Sequence, residues 1–328
     1  MARMATLDCL RQTALNLDAA VLLAEACLTA YEPFEKGGEI WARATGFASA
    51  AGHEAGNTQL FWAECHDIAL LVFRGTSNLG QWIRDIRIAP AFHPWGLVHR
   101  GFSTGVRVVE DALITFASIA KSRKYVWITG HSLGGALAAL VAANLKREEI
   151  SATVYSYGQP RLGYWNFSDR FDHELTGRNY RFINQSDIVA RLPPGLLFKH
   201  CAIPKRILRP GVLEAAADGL PFSRGMPDAA YKINNRNGFE SGELPLLSGL
   251  CPKLADGDVP GISEREFLML QLELGAASDT YREGCELEGG IDLDSLFADH
   301  GISRYVKLLA QIRDNLSHPN PVAYEPKP

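Results

Sequence analysis

Between Tyr125 and Glu148 the chain reads YVWITGHSLGGALAALVAANLKRE, an apolar run that passes without a linker into an alanine-rich one. No other stretch constrains the fold as tightly. The first half has the length and β-branched content of a strand covered on both faces. The second half is made of strong helix formers. A strand turning this sharply into a helix crowds the residues two before and two after the turn. Here those positions are Gly130 and Gly134, with Ser132 between them. The turn places the serine in a strained conformation and predicts an exposed hydroxyl at a helix N-terminus, where the dipole and free N–H groups favour negative charge. A glycine-rich turn that only permits close helix–strand packing is the alternative reading.

Further strands read the same way. TQLFWAEC and IALLVFRGT flank the short turn His66–Asp67, and ATVYSYG and YRFINQSD follow the central helix. Strands alternating with helical segments predict an α/β fold with a mostly parallel sheet covered by helices on both sides. Residues 1–35 read as an N-terminal helical segment. Residues 205–294 are rich in Gly, Pro and acidic residues with weak periodicity, and read as an insertion or cap of loops and short helices. The whole, 1–328, is expected to be a single domain.

A serine hydroxyl is a poor nucleophile at neutral pH and needs a base, which in turn needs an orienting carboxylate. Asp187 follows a strand in YRFINQSDIVARLPP, at the end where catalytic loops gather. His300 precedes an apolar helical segment in DHGISRYV. The order Ser, Asp, His is the one this strand–turn–helix architecture uses. Other readings stay open: Asp187 as a helix cap or turn residue, His300 as a surface-loop histidine, and His200 in LFKHCAIP as a second candidate for the base. His131 adjoins Ser132, so its side chain is expected to point away and pack. The remaining histidines lie in loops, at segment ends or in a Pro-rich tail.

The net charge of −4 with no concentrated basic run argues against a nucleic-acid partner. Six cysteines (Cys9, Cys27, Cys65, Cys201, Cys251 and Cys285) have no close metal-ligand spacing. Neither a metal nor an organic cofactor is expected. The first 28 residues are interrupted by Asp8, Arg11, Asn16, Asp18 and Glu25 at helical spacing, unlike a signal peptide. No stretch approaches membrane-span length. A cytoplasmic protein is expected, with leaderless secretion leaving no sequence mark.

Six stretches in order, VFRGTSNLGQWIRDI, VHRGF, ITGHSLGGALAAL, YSYGQPRLG, NQSDIVARLPP and DHGISRYV, resemble the class 3 lipase family of fungal triacylglycerol lipases, within the α/β-hydrolase superfamily. The resemblance runs from about Leu60 to His200 and resumes around His300. It implies an α/β-hydrolase fold, Ser132 as nucleophile, Asp187 as orienter and His300 as base. It further implies an oxyanion hole from the backbone N–H groups of Thr76 and Leu133. Leu79, Trp82, Ile83 and Ile86 fall at i, i+3, i+4 and i+7, one face of a helix. In similar lipases this stretch, placed here at 77–95, is a lid over the serine. Such a lid would meet a lipid–water interface transiently. The expected activity is hydrolysis of carboxylic esters, acylglycerols foremost. Open alternatives are a phospholipase A-type enzyme, a toxin-like lipase effector with an inhibitory partner, and a non-catalytic binding or signalling protein.

Overall fold

The computed structural model describes residues 7–76, 89–184, 187, 189–193, 198–202, 204–208, 212–215 and 300–317. Its frame is an eight-stranded sheet of β1 (Ser49–Ala55), β2 (Thr58–Glu64), β3 (Ile68–Phe73), β6 (Tyr125–His131), β7 (Thr153–Tyr157), β9 (Asn179–Asn184), β11 (Pro204–Leu208) and β12 (Val212–Ala215), in that spatial order. The centre is parallel, from β3 through β6, β7 and β9 to β11. Both edges are antiparallel, β1–β2–β3 on one side and β11–β12 on the other. The sheet is therefore mixed rather than mostly parallel throughout. The short turns at residues 56–57 and 66–67 return the chain at once, which only antiparallel neighbours permit.

Alternation along the central strands splits the core in two. Leu71, Phe73, Ile128 and Val154 face one layer, with α3 (Arg100–Arg107), α4 (Glu110–Ala120), α5 (Leu133–Arg147) and α6 (Trp165–Glu174). Leu70, Val72, Trp127, Tyr155 and Phe182 face the other, with α1 (Leu17–Thr29), α2 (Gly38–Thr45) and α7 (Ile302–Ser317). Strands buried on both faces need apolar residues at every position, as β3 has. Asn16 caps α1, its side-chain oxygen accepting from the N–H groups of Asp18 at 2.8 Å and Ala19 at 3.2 Å. On α7, Ile302, Tyr305, Leu309 and Ile312 are buried along one face, packed with the α1 layer. That docking anchors the chain at His300, two residues before α7.

Sequence patterning misses three features. β1 reads SAAGHEA, which has little intrinsic strand preference; it is a strand because β2 pairs with all seven of its residues at the sheet edge. A second, small sheet joins β4 (Pro90–His93), β5 (Gly96–His99), β8 (Gly163–Tyr164) and β10 (Phe198–Lys199) in the order β10–β8–β5–β4. β4 occupies the end of the stretch expected as a lid at 77–95, so a helix cannot extend through it. The insertion expected from residue 205 opens with β11 and β12 rather than loops and short helices. Backbone pairing to the exposed edge of β9 supplies partners that no periodicity encodes.

His93 ties the small sheet to α5. Its Nδ1 accepts from the Trp95 N–H at 3.1 Å, so Nε2 carries the proton and donates to Asn144 Oδ1 at 3.1 Å. Burial lowers its pKa to about 4, from the ordinary value of about 6.5. The neutral form is native, so stability is full above pH 6.5 and falls as pH drops toward 4. At 1.36 kcal/mol per unit the loss reaches about 3 kcal/mol. Urea unfolding from pH 7 to 4 should show this decline, and a His93→Gln variant should show less of it. Equal slopes in both would refute it.

Candidate active site

The carboxyl ends of four adjacent parallel strands carry the site. Thr76 lies three residues beyond β3, Ser132 directly after β6, Gly158 directly after β7 and Asp187 three residues beyond β9. This is the edge where open α/β sheets place ligands.

Ser132 joins β6 to α5 with φ 58° and ψ −128°, a conformation that costs a non-glycine residue about 1–3 kcal/mol. The two flanking glycines are required by backbone contacts. A Cβ at Gly130 would come within 2.2 Å of the Gly134 oxygen, and one at Gly134 within 2.5 Å of the Phe73 oxygen. The Ser132 N–H donates to the Tyr157 carbonyl at 2.9 Å, pinning the turn to β7. The expected exposure of the hydroxyl is corrected: Ser132 is only 1% exposed. The segment after β3 crosses it, and a Cβ at Gly75 would lie 3.2 Å from the Ser132 Cβ.

Asp187 is fully buried and its carboxylate is held from several sides. Oδ1 accepts from the N–H groups of Val189 at 2.9 Å and Ala190 at 3.4 Å, so it does cap the short 3₁₀ turn Val189–Arg191. The same carboxylate meets His300 Nδ1 at 2.8 and 2.9 Å. Tyr305, on α7, donates its hydroxyl to Oδ2 at 2.6 Å and accepts the Asn184 N–H at 2.9 Å. Burial and the neighbouring carboxylate push the Tyr305 pKa well above its ordinary value, so it stays a donor. Asp187 thus caps that turn and also pairs with the His300 imidazole.

Strands β6 and β9 are two strand spacings apart, roughly 10 Å. Gly158, at the end of β7, fills the gap between them. Its φ is +58°, and a Cβ there would come within 2.6 Å of Asp187 Oδ2 and 2.8–2.9 Å of the His300 ring. The absence of a side chain lets the imidazole lie across the end of β7 with Nδ1 on Asp187. Its other nitrogen, Nε2, lies across the ring, and the ring centroid is 4.5 Å from that of His131 on β6. Ser132 Oγ and His300 Nε2 are both buried, and neither has a hydrogen-bond partner among the described residues.

Residues 70–196 match the family model described as Lipase (class 3). A Rhizomucor miehei lipase is 38% identical over 137 residues, 38% of this chain and 37% of that protein. A secreted mono- and diacylglycerol lipase of Fusarium solani is 35% identical over 128 residues, 37% of this chain and 38% of its own length. The matches therefore span little more than a third of these curated relatives. The solved structure of a triacylglycerol lipase with a serine-protease triad at its catalytic centre superposes with a TM-score of 0.51 at 28% identity, covering 59% of this chain and 82% of that one. Over residues 70–196 the chain is similar to the class 3 lipase family.

Thr76 follows Gly75, the residue that abuts Ser132, and is partly buried. Leu133 is the first residue of α5, so its N–H is one of the helix's unpaired terminal donors. Leu79, Trp82, Ile83 and Ile86 lie outside the described residues. The rival His200 does not meet Asp187; it bonds to the Ala190 backbone, and burial with the nearby Arg181 and Arg161 guanidinium groups keeps it neutral. Among the described residues no group of His, Cys, Asp or Glu is gathered to hold a metal, and no helix is long and apolar enough to cross a membrane.

Sequence reasoning missed Tyr305, Gly158 and the bonding of His131. The tyrosine stands in DHGISRYV and the glycine in YSYGQPRLG, but neither has a local signal tying it to Asp187. Gly158→Ala should lower kcat on a soluble ester about 10–100-fold, since the added methyl displaces the pair it touches and must adopt positive φ. Steady-state kinetics beside a melting curve checks this. Unchanged kcat would show that His300 does not need that space.

Proposed function

We propose that the chain is a serine carboxylic-ester hydrolase acting on acylglycerols through an acyl-enzyme. The observation that carries this is the buried Asp187–His300 pair beside a serine held at a strained strand–helix turn. Ser132 Oγ attacks the ester carbonyl carbon while His300 Nε2 takes its proton. Asp187 accepts the Nδ1–H, holds the imidazole in the tautomer that leaves Nε2 free, and stabilises the imidazolium. The carbonyl oxygen becomes an oxyanion, which the backbone N–H groups of Thr76 and Leu133 receive; one such donor contributes about 3–4 kcal/mol to lowering the barrier. The imidazolium protonates the departing alcohol. Water, activated by His300, then attacks the acyl-enzyme and releases the acid with Ser132 restored.

The acylglycerol preference follows the named substrates of the relatives, the mono- and diacylglycerol lipase and the triacylglycerol lipase. The test is fatty-acid release from emulsified dioleoylglycerol, triolein and dioleoylphosphatidylcholine. Cleavage of the acylglycerols at least about tenfold faster than the phospholipid is expected. Faster cleavage of the phospholipid would move the reading to a phospholipase A-type enzyme.

A further inference from the structure

Next to Ser132 lies a second histidine, packed among aromatic rings and hydrogen-bonded as well. The His131 ring is buried, and both of its nitrogens are engaged. Nε2 is 2.6 Å from the backbone carbonyl oxygen of His300, and Nδ1 is 2.7 Å from the Tyr31 hydroxyl. The two imidazoles lie with centroids 4.5 Å apart and planes 34° from parallel.

Chemistry assigns the protons. A carbonyl oxygen can only accept, so Nε2 carries the hydrogen. A neutral imidazole has one N–H, so Nδ1 is an acceptor and the Tyr31 hydroxyl donates to it. Burial and the neighbouring His300 hold the His131 pKa well below its ordinary value, which keeps the ring neutral. Burial raises the pKa of Tyr31, which keeps its proton. A single directed chain results: Tyr31 O–H to His131 Nδ1, then His131 Nε2–H to the His300 carbonyl.

The connection matters because the backbone cannot hold His300 in place by proximity in sequence. Asp187 and His300 are 113 residues apart, and His131 and His300 are 169 apart. Asp187 fixes the ring and α7 fixes the chain beyond Gly301, while the main chain of His300 itself is held by His131. A Cβ at Gly75 would meet both the Tyr31 hydroxyl, at 2.1 Å, and the His131 carbonyl, at 2.6 Å. The same chain of bonds therefore packs against the segment that leads to Thr76.

We propose that His131 is a positioning residue: with its tautomer set by the His300 carbonyl and its Nδ1 held by the Tyr31 hydroxyl, it clamps the His300 backbone and so places the base between Asp187 and Ser132. The role rests on the ester-hydrolase reading of the site. It acts through His300 and touches no substrate.

The test compares His131→Gln with His131→Asn in the full chain. Glutamine carries an N–H donor near the position of Nε2, whereas asparagine, one carbon shorter, reaches only the position of Nδ1. Two readouts are taken: kcat and KM on para-nitrophenyl butyrate, and the downfield proton NMR signal of the His300 Nδ1–H bonded to Asp187. Because misplacement by about 1 Å can cost about a hundredfold, His131→Asn should lower kcat at least about thirtyfold with KM within about twofold. His131→Gln should keep kcat within about fivefold of wild type, with a sharp downfield signal that broadens in the asparagine variant. Equal kcat in the two variants overturns the proposal. Should His131→Asn fail to fold, Tyr31→Phe replaces it: by leaving Nδ1 without its donor it loosens the ring that clamps His300 and should lower kcat about three- to tenfold, and wild-type kcat there overturns the proposal. If wild type hydrolyses no ester, the hydrolase reading itself fails. The NMR signal then decides the clamp alone, and equal sharpness in both His131 variants refutes it.

Discussion

Ser132→Ala is expected to lower kcat for para-nitrophenyl ester hydrolysis about a millionfold, the scale set by losing the nucleophile of a serine triad. Residual turnover of about 10³–10⁴ over water would persist, because binding and the oxyanion donors remain. The fold should not suffer. The Ser132 hydroxyl is buried without a partner among the described residues, so its removal deletes an unsatisfied group and leaves the strained turn as it was. The measurement is hydrolysis of esters from acetate to palmitate by wild type and variant, with thermal unfolding beside it. An active wild type and an inactive, folded variant support the reading. A wild type inactive on every ester, even with detergent or lipid, would favour a binding protein. Equal activity in both would remove Ser132 from the chemistry.

Asp187→Asn carries the second largest effect, a fall in kcat of about 10⁴-fold. The substitution is nearly isosteric but reverses one hydrogen-bonding group. The carboxylate now accepts from His300 Nδ1, Tyr305, Val189 and Ala190. An amide has one acceptor oxygen, so its N–H₂ must face donors on one side. Turned toward His300, the amide nitrogen donates to Nδ1 and drives the imidazole proton to Nε2, where it can no longer take the serine proton. Turned toward the Val189 and Ala190 amides, it sets donor against donor in a buried site. Each orphaned group costs about 1–3 kcal/mol, so a lower melting temperature should accompany the kinetic loss. Kinetics with calorimetry on the one variant checks both effects. Near wild-type kcat would mean that the Asp187 charge is not used.

Legibility differed by element. β3, β6, β7 and β9 were visible because central strands of a parallel sheet are largely apolar on both faces; β3 is apolar throughout, while buried polar residues such as Thr129, Ser156 and Arg181 interrupt the others. α5 was visible in its composition. β1 and the β4–β5–β8–β10 sheet were not, since an edge strand such as SAAGHEA owes its conformation to a neighbour rather than to its own side chains. The start of the 205–294 segment was read as loop for the same reason: β11 and β12 form by adding to β9. The turn at Ser132 was legible because its two glycines answer a local steric demand. The burial of that serine was not, because the segment at Gly75 that crosses it is distant in sequence.

By itself the sequence determined the strand–turn–helix at Ser132, the order of the central strands' motifs and the residue types available for acyl transfer. These rest on backbone stereochemistry and apolar periodicity, which act over a few residues. Only the tertiary structure decided which imidazole meets Asp187, why Gly158 must lack a side chain, and that Tyr305 and His131 hold the pair from either side. Those contacts join residues 113, 118 and 169 positions apart. Hydrogen-bond geometry selects among donors only once folding has brought them within reach, and no local pattern encodes that selection.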